Sequence, residues 1–337
     1  MAIVGRFALL GMAHRRSEKT YRRCRGAGPR RQAQHNNTLM PLFLLLLIGF
    51  SVAGGSALFT MAGKLAEPRM RDVSSPPKGL PLSALRIARP DGGSVAAWFA
   101  PGNPHQGGVL LVHGIRADRR QMLARARFLL EAGYAVLLID LQAHGETPGE
   151  HITFGFRESV DVHAAADYLR TRIGGRPIGV IGVSMGGAAS LLGESPVDAD
   201  AVVIEGVYSS IEQAASNRLA IRFGEVSRWL APLLVWQVEP RIGVHPDDLA
   251  PSKAIRRLDA PVMIIAGTED RRTRVDESKG LYLRANSPKR LWLIHGARHE
   301  DFHRHSTAEY ERRVLGFFDK YLADPATHRA ASFGLSG

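Results

Sequence analysis

Short apolar segments that alternate with helical segments are the feature that most constrains the fold of this chain. The apolar segments are GGVLLVHG (107–114), AVLLID (135–140), PIGVIGVS (177–184), DAVVIEG (200–206), PVMIIAG (261–267) and RLWLIHG (290–296). Strands that are apolar on both faces are typical of parallel sheets covered by helices on each side. The sequence therefore predicts an α/β fold with a doubly wound, mostly parallel sheet.

A long uncharged segment precedes this region. Residues 32–63 contain no Asp, Glu, Lys or Arg, and residues 39–62 are almost wholly apolar or small. As a helix, the 39–62 segment would extend about 36 Å, enough to cross a bilayer. We predict a single transmembrane helix or signal anchor. The alternatives are a secretory signal peptide that is cleaved near SVAGGSA, so that the mature protein is secreted, and a mitochondrial transit peptide.

Positive charge is concentrated before the apolar segment. Residues 1–37 hold nine Lys or Arg and one acid, which accounts for most of the chain's net charge of +12. This bias predicts a cytoplasmic N-terminus and an extracytoplasmic folded domain. We expect residues 1–37 to be a disordered tail, and no nucleic-acid binding by the folded part. The only cysteine, Cys24, lies in this tail, so the folded part has no disulfides.

Composition also suggests the domain boundaries. Residues 63–81 are rich in Ser, Pro and charge and predict a linker. One folded domain is expected over residues 82–323, with a longer insert at about residues 207–259. Residues 324–337 are expected to form a loose C-terminal tail.

A candidate nucleophile lies at the end of the strand predicted over 177–184. The segment Gly182–Gly186 is G-x-S-x-G with Ser184 at its centre, set between a strand and a helix. Such a turn is too tight for side chains on either flank, and Gly187 gives the helix room to pack. The Met185 N–H then faces a developing oxyanion, and we assign the second donor to the Ile115 N–H. The alternative is a glycine-rich turn without chemistry.

Candidate acid and base residues follow later strands. Asp270 lies in a loop after PVMIIAG, at the sheet edge where reactive groups gather, and Glu269 is the adjacent competitor. His299 follows the last predicted strand as candidate general base, which completes the chain order Ser184, Asp270, His299. We expect His113 to hold loop backbone rather than to act as the base.

The segment around His299 also spells a zinc motif. Residues 299–303 match H-E-x-x-H, which binds zinc when both histidines share one helical face. Gly296 and Ala297 directly after a strand indicate a loop instead. We therefore expect no metal, and we expect His303 and His305 to be surface residues.

Together these motifs resemble the α/β-hydrolase superfamily over roughly residues 82–323. The resemblance is carried by HG (113–114), GVSMGG (182–187), GTED (267–270) and GARH (296–299). DLQAHGET (140–147) is similar to the D-x-x-G-H-G-x-S loop of the serine aminopeptidase and lysophospholipase-like branch, with Ala143 and Thr147 as departures. The resemblance implies hydrolysis without a cofactor, through an acyl-enzyme.

The function expected from these residues is that of a membrane-anchored serine hydrolase. Its substrate would be a carboxylic ester or related acyl compound, small or lipid-like, and residues 39–62 would contact the membrane. Two alternatives remain open, a non-catalytic binding protein of the same fold at the membrane and a zinc peptidase.

The insert contains a dense apolar run. Residues 226–243 include Trp229 and Trp236, and the favoured interpretation is a helix that packs its apolar face on the sheet. The alternative is a lid or acyl-chain pocket. Three arginines nearby are expected to be solvated rather than to bind an acidic group: Arg218, Arg222 and Arg241.

Overall fold

The computed structural model describes residues 39–323. The tails predicted for residues 1–37 and 324–337, with Cys24, lie outside the described residues. Residues from Ser51 onward form one compact unit, which contains the sheet, its helices and the candidate site.

The predicted strands are present and form one central sheet, and two further short strands pair separately. The strands are β1 (Arg69–Met70), β2 (Ser83–Ala88), β3 (Ser94–Ala100), β4 (Gly108–Val112), β5 (Ala135–Ile139), β6 (His144–Gly145), β7 (Ile178–Val183), β8 (Ala201–Glu205), β9 (Val262–Gly267) and β10 (Lys289–Ile294). Within residues 39–323, eight of them pair in the order β10-β9-β8-β7-β4-β5-β3-β2, and β1 and β6 form the separate pair. The pairs from β10 to β5 are parallel, whereas β3 and β2 are antiparallel.

Helices cover both faces of this sheet. The helices are α1 (Leu39–Ala66), α2 (Leu123–Glu131), α3 (Glu158–Arg172), α4 (Met185–Ala189), α5 (Ile211–Phe223), α6 (Ala231–Val235), α7 (Val238–Ile242), α8 (Pro251–Ala254), α9 (Val275–Arg284), α10 (Phe302–His305) and α11 (Thr307–Tyr321). Successive strand side chains point to opposite faces. In β4, Leu110 packs in the cluster that includes α3, and Leu111 packs in the cluster that includes α2 and α11. The doubly wound, mostly parallel α/β fold is therefore confirmed.

The sheet changes direction between β4 and β7. The chain passes from β4 to β5 on one side and then returns to β7 on the other. At such a switch point the loops after the two strands diverge and leave a crevice at the carboxyl edge. Ser184 follows β7 and Ile115 follows β4, so the topology brings these two candidate residues to the crevice.

The apolar N-terminal segment is helical, as predicted, but it ends at Ala66 rather than at residue 62. Met40–Ala66 is long and apolar enough to cross a membrane, with a mean hydropathy of 2.3 in its 18-residue window. The last turns pack on the domain, where Leu58 is buried with Leu219 and Leu234. The backbone carbonyl of Ala66 also accepts a hydrogen bond of 2.8 Å from Ile152 N.

The segment predicted to be a linker is partly ordered. Its first residues complete α1, and β1 pairs in parallel with β6, with Arg69 opposite His144. Val73 is buried, and its N–H donates to the Glu146 carboxylate. This order was not predicted, because the pairing partners lie more than seventy positions away and leave no local pattern.

The apolar run of the insert packs in the core only in part. Trp229 and Trp236 are 85% and 75% exposed, so the apolar run turns these rings to solvent. Leu234 and Val238, on the same run, line a cavity above Ser184. The favoured sequence interpretation therefore holds for only part of this run, because Val238 and Ile242 belong to the core cluster whereas the two tryptophans face solvent.

Candidate active site

The turn after β7 holds Ser184 in a backbone conformation that L-residues rarely adopt. Ser184 has φ 50° and ψ −111°, and its N–H donates to the Glu205 carbonyl at 2.7 Å. A Cβ on Gly182 would lie 2.6 Å from the Gly187 backbone, and a Cβ on Gly186 would lie 2.5 Å from the Val112 carbonyl. Both glycines are therefore required by close backbone approach, as the motif predicted. Strain of this kind is typical of functional sites.

Asp270 and His299 are brought together from loops after β9 and β10. The Oδ2 atom of Asp270 lies 2.7 Å from the Nδ1 atom of His299. The same carboxylate accepts the Thr273 hydroxyl at 2.6 Å and the backbone N–H groups of Arg272 and Thr273. When Nδ1 donates to this carboxylate, the free lone pair of the imidazole is on Nε2.

The environment of Asp270 favours its charged form. Burial raises the pKa of Asp270, but the hydrogen bonds from His299 and Thr273 outweigh burial and bring the pKa below its usual value. Glu269, the sequence competitor, has a side chain that is 57% exposed and lies 3.6 Å from Arg298. Of the two acids, Asp270 is therefore the one positioned to orient the imidazole.

Ser184 and His299 both contact the end of β8. Ser184 N bonds to the Glu205 carbonyl. The ring of His299 packs on the next residue, Gly206, where a Cβ would lie 3.3 Å from Cε1 of the ring. Within residues 39–323 no hydrogen bond joins Ser184 Oγ to the ring. Catalytic hydrogen bonds in unliganded enzymes are often long and tighten when substrate binds.

Two backbone N–H groups beside Ser184 have no acceptor among residues 39–323. They belong to Ile115, after β4, and Met185, the first residue of α4. Both residues line the same cavity as Ser184. The loop after β4 lies against the serine turn, since a Cβ on Gly114 would be 3.6 Å from Ser184 Cβ. These are the two groups assigned as donors from the sequence, and their role at an oxyanion stays a prediction.

Two buried histidines hold the loop that carries Ile115. His113 Nδ1 lies 2.8 Å from the Gly114 carbonyl, and its Nε2 accepts the Leu141 N–H. His144 Nε2 accepts the Arg116 N–H at 2.9 Å. Burial lowers the pKa of His113 to about 4 and that of His144 to about 3. The expectation that His113 holds loop backbone is confirmed, whereas His144 was not singled out.

A buried ionic cluster ties the end of β8 to Asp301, two residues after His299. Arg125 donates to both carboxylate oxygens of Glu205, and its Nη2 lies 2.9 Å from Asp301. The Tyr310 hydroxyl donates to Glu205 Oε1. Burial lowers the pKa of Arg125, but these acids outweigh it and raise the pKa. The one sequence signal for this cluster was an acid at the end of an apolar strand.

The zinc interpretation of residues 299–303 does not fit the structure. His299 lies in a loop, and α10 begins only at Phe302, so the two histidines do not share a helical face. His303 is not the surface residue that we expected, because it is 7% exposed and its Nε2 lies 2.8 Å from Glu311. Its burial depends on α11, which packs over it. His305 is partly exposed beside Glu300.

A mainly apolar cavity lies over the serine turn. The space between its walls is about 820 Å³ when its open mouth is included. Its walls come from the serine turn, from α5 to α7 of the insert and from the end of α1, where Ala62, Leu65 and Ala66 line it. The last turns of the apolar N-terminal helix are thus part of the candidate binding site.

Comparisons with known proteins agree with this architecture. A family model described as "Alpha/beta hydrolase family" matches residues 109–313. The Bacillus subtilis protein YqkD is 25% identical over 215 residues, 63% of this chain and 70% of that protein. The Homo sapiens protein ABHD12B is 24% identical over 189 residues, 54% of this chain and 49% of that protein. Pyrococcus furiosus esterase Pf2001 superposes with a TM-score of 0.61 at 23% identity, covering 76% of this chain and 100% of that chain.

Proposed function

The chain belongs to the alpha/beta hydrolase family, and from this premise we propose that it is a serine hydrolase with Ser184, His299 and Asp270 as its catalytic triad. The observation that carries the proposal is the strained turn that holds Ser184 at the base of an apolar cavity. The hydrogen bond between Asp270 and His299 supports it. In this proposal residues 82–323 form the catalytic domain, and the insert at about 207–259 forms a lid.

Acylation is the first half of the proposed reaction. His299 Nε2 takes the proton from Ser184 Oγ as that oxygen attacks the acyl carbonyl carbon. The negative charge that develops on the carbonyl oxygen is stabilised by the Ile115 and Met185 N–H groups. The imidazolium then gives its proton to the leaving alcohol, and the acyl group stays on Ser184. Asp270 keeps the imidazole oriented and stabilises its charged form.

Deacylation reverses the roles with water as the nucleophile. His299 takes a proton from a water molecule while the water oxygen attacks the acyl carbon. The second tetrahedral intermediate uses the same two N–H donors, and its collapse returns the proton to Ser184 Oγ. A carboxylic acid leaves, and neither half of this sequence requires a cofactor.

The cavity supports a lipid-like acyl substrate. Residues such as Ile211, Leu234 and Val238 present hydrocarbon surface, which favours an alkyl chain over a polar one. The end of α1 forms part of this wall. We propose that α1 spans the membrane with the N-terminus in the cytoplasm, so that the catalytic domain works outside the cytoplasm beside the bilayer surface.

The catalytic proposal is tested with the full-length chain in detergent. Wild-type protein is expected to hydrolyse chromogenic acyl esters and to react with a fluorophosphonate probe. Ser184→Ala should lower hydrolysis by at least about 10³-fold and abolish labelling. The control Ser195→Ala removes an exposed serine hydroxyl and should leave both unchanged. Folded wild-type protein that neither hydrolyses esters nor takes up the probe would contradict the proposal and favour a non-catalytic binding protein.

The topology is tested with the single natural cysteine. Cys24 precedes the apolar helix, and Lys253 is exposed in the insert. In the proposed topology these two positions lie on opposite sides of the membrane. In intact cells a membrane-impermeant maleimide should label a Cys24→Ser, Lys253→Cys chain and should spare the wild-type chain. Labelling of wild-type Cys24 instead would reverse the orientation, and recovery of the chain in a soluble fraction would indicate cleavage.

A further inference from the structure

Most polar groups in the cavity are already occupied by other protein groups. The Tyr208 hydroxyl donates to the Phe154 carbonyl at 2.7 Å. Arg241 donates to the Phe59 carbonyl at 2.7 Å and to Gln237 Oε1, and its guanidinium lies 3.9 Å from the Phe59 ring centroid. Arg241 therefore fastens the insert to the end of the apolar helix. Except for Arg241 Nε, which is buried without a partner among residues 39–323, these groups are committed to the fold rather than to a ligand.

Arg218 differs from these groups. It lies on α5, on the same face as Ile211, Ala214 and Ala215, and all four residues line the cavity. The last three of these residues follow Ile211 by three, four and seven positions, which places all four side chains on one face of the helix. Within residues 39–323 the Arg218 guanidinium has no hydrogen bond and no salt bridge. It is thus a cationic group without a protein partner in the cavity that holds Ser184.

The charges around Arg218 do not neutralise it. Burial lowers the pKa of Arg218, and the positive charges of Arg272 and Arg116 lower it further. Arg116 is held in place by a 2.6 Å hydrogen bond to the Lys64 carbonyl. The residues that line the cavity include no Asp or Glu. An arginine left unpaired among apolar walls is costly unless an anion accompanies it.

We propose that Arg218 binds an anionic group of the substrate, so that the preferred substrate is an acyl ester carrying a carboxylate or phosphate near the scissile bond. The inference rests on the proposed function, because Ser184 opens into the same cavity. The planar guanidinium can form two parallel hydrogen bonds to either anion. The apolar walls then hold the alkyl part, and the expected ligand is an anionic amphiphile.

A kinetic experiment tests this specificity in the full-length chain in detergent. The substrates are short-chain water-soluble esters that share an acyl group and differ in the alcohol part, which carries a phosphate, a carboxylate or a neutral hydroxyl. Wild-type protein should favour at least one anionic ester over the neutral ester in kcat/KM. Arg218→Gln should lower that ratio about 10- to 100-fold. Arg218→Lys should retain part of it.

A matched control is available on the same helix. Arg222 is one turn further along α5 and is exposed, so Arg222→Gln removes a positive charge without reaching the cavity. Its ratio of anionic to neutral kcat/KM should stay at the wild-type value. An equal fall in Arg222→Gln and Arg218→Gln would show that net charge alone sets the preference and would overturn the inference.

A binding experiment separates this inference from the catalytic proposal. Isothermal titration calorimetry on Ser184→Ala protein measures the affinity for hexyl phosphate, hexanoate and hexanol, which require no turnover. Adding Arg218→Gln should weaken the affinity for at least one of the two anions about tenfold or more. The affinity for hexanol should change less. If the anions bind equally with and without Arg218, the inference is wrong even when Ser184 is the nucleophile. If anion affinity depends on Arg218 but Ser184 of the wild-type protein does not react with the fluorophosphonate probe, the catalytic proposal fails. The proposal of an anion site at Arg218 then stands.

Discussion

His299 Nδ1 lies 2.7 Å from Asp270 Oδ2, although 29 positions separate the two residues in the chain. In the proposed mechanism this contact fixes the tautomer that leaves Nε2 free to accept the serine proton. Asp270→Asn retains the shape of the side chain but not its charge, and we expect kcat/KM for an ester to fall about 10³- to 10⁴-fold. Glu269→Gln, which alters the adjacent exposed acid, is the control and should keep wild-type kinetics. Comparable losses in both variants would refute the assignment of the acid.

Thr273 is a positioning residue that the sequence analysis did not single out. Its hydroxyl donates to the same Asp270 oxygen that faces His299, and this bond contributes to the lowered pKa of Asp270. Thr273→Val should lower kcat about tenfold with a smaller change in KM, because the loss falls on the orientation of the imidazole. The pKa of Asp270 should rise, so activity should be lost at a higher pH on the acid side. Thr273→Ser should restore both readouts, and a pH profile unchanged in Thr273→Val would remove this role.

Gly206 supports the ring of His299. It has φ 56°, and a Cβ at this position would lie 3.3 Å from His299 Cε1. Gly206→Ala should therefore displace the imidazole and lower kcat about 10- to 100-fold, since small displacements of a catalytic group carry large rate penalties. Gly316→Ala is the matched control, because a Cβ there meets nothing within 4 Å. Wild-type kcat in Gly206→Ala would show that the His299 ring does not depend on this contact.

Because His113 is buried, we expect the folded protein to lose stability in mild acid. The pKa of His113 in the folded chain is lowered to about 4. As the pH falls, this side chain is therefore protonated near pH 6.5 in the unfolded chain but only near pH 4 in the folded chain. The stability contributed by the neutral ring is complete above pH 6.5 and is lost as the pH falls toward 4, by on the order of 3 kcal/mol. The melting temperature measured from pH 7.5 to 4.5 should fall less steeply in His113→Gln than in wild type. The exposed His105→Gln is the control, and identical slopes in all three proteins would contradict the prediction.

Much of the fold was predictable because strands and helices leave local patterns. The apolar runs that became β4, β5, β7 and β9 are short and bounded by Gly or charged residues, and their order specified the parallel sheet. The turn around Ser184 was predictable for the same reason, since its glycines are required by backbone contacts that any such turn makes.

The features that sequence reasoning missed depend on partners far along the chain. Arg125 and Glu205 pair across 80 positions, and nothing near either residue indicates the other. His303 is buried because α11 covers it, although its own segment is polar. The position of the insert was predicted only in part, because an apolar run has the same composition whether it faces a core, a cavity or the exterior. Thr273 followed the motif by three positions and had no distinguishing neighbour.

The acyl-enzyme itself provides the most direct test of the central proposal. Wild-type protein is mixed with a p-nitrophenyl acyl ester, quenched in acid within the first turnovers and analysed by intact mass and peptide mapping. The proposal predicts a mass increase of one acyl group, located on the peptide that contains Ser184 and absent in Ser184→Ala. Steady hydrolysis without any adduct, or an adduct on another residue, would contradict it.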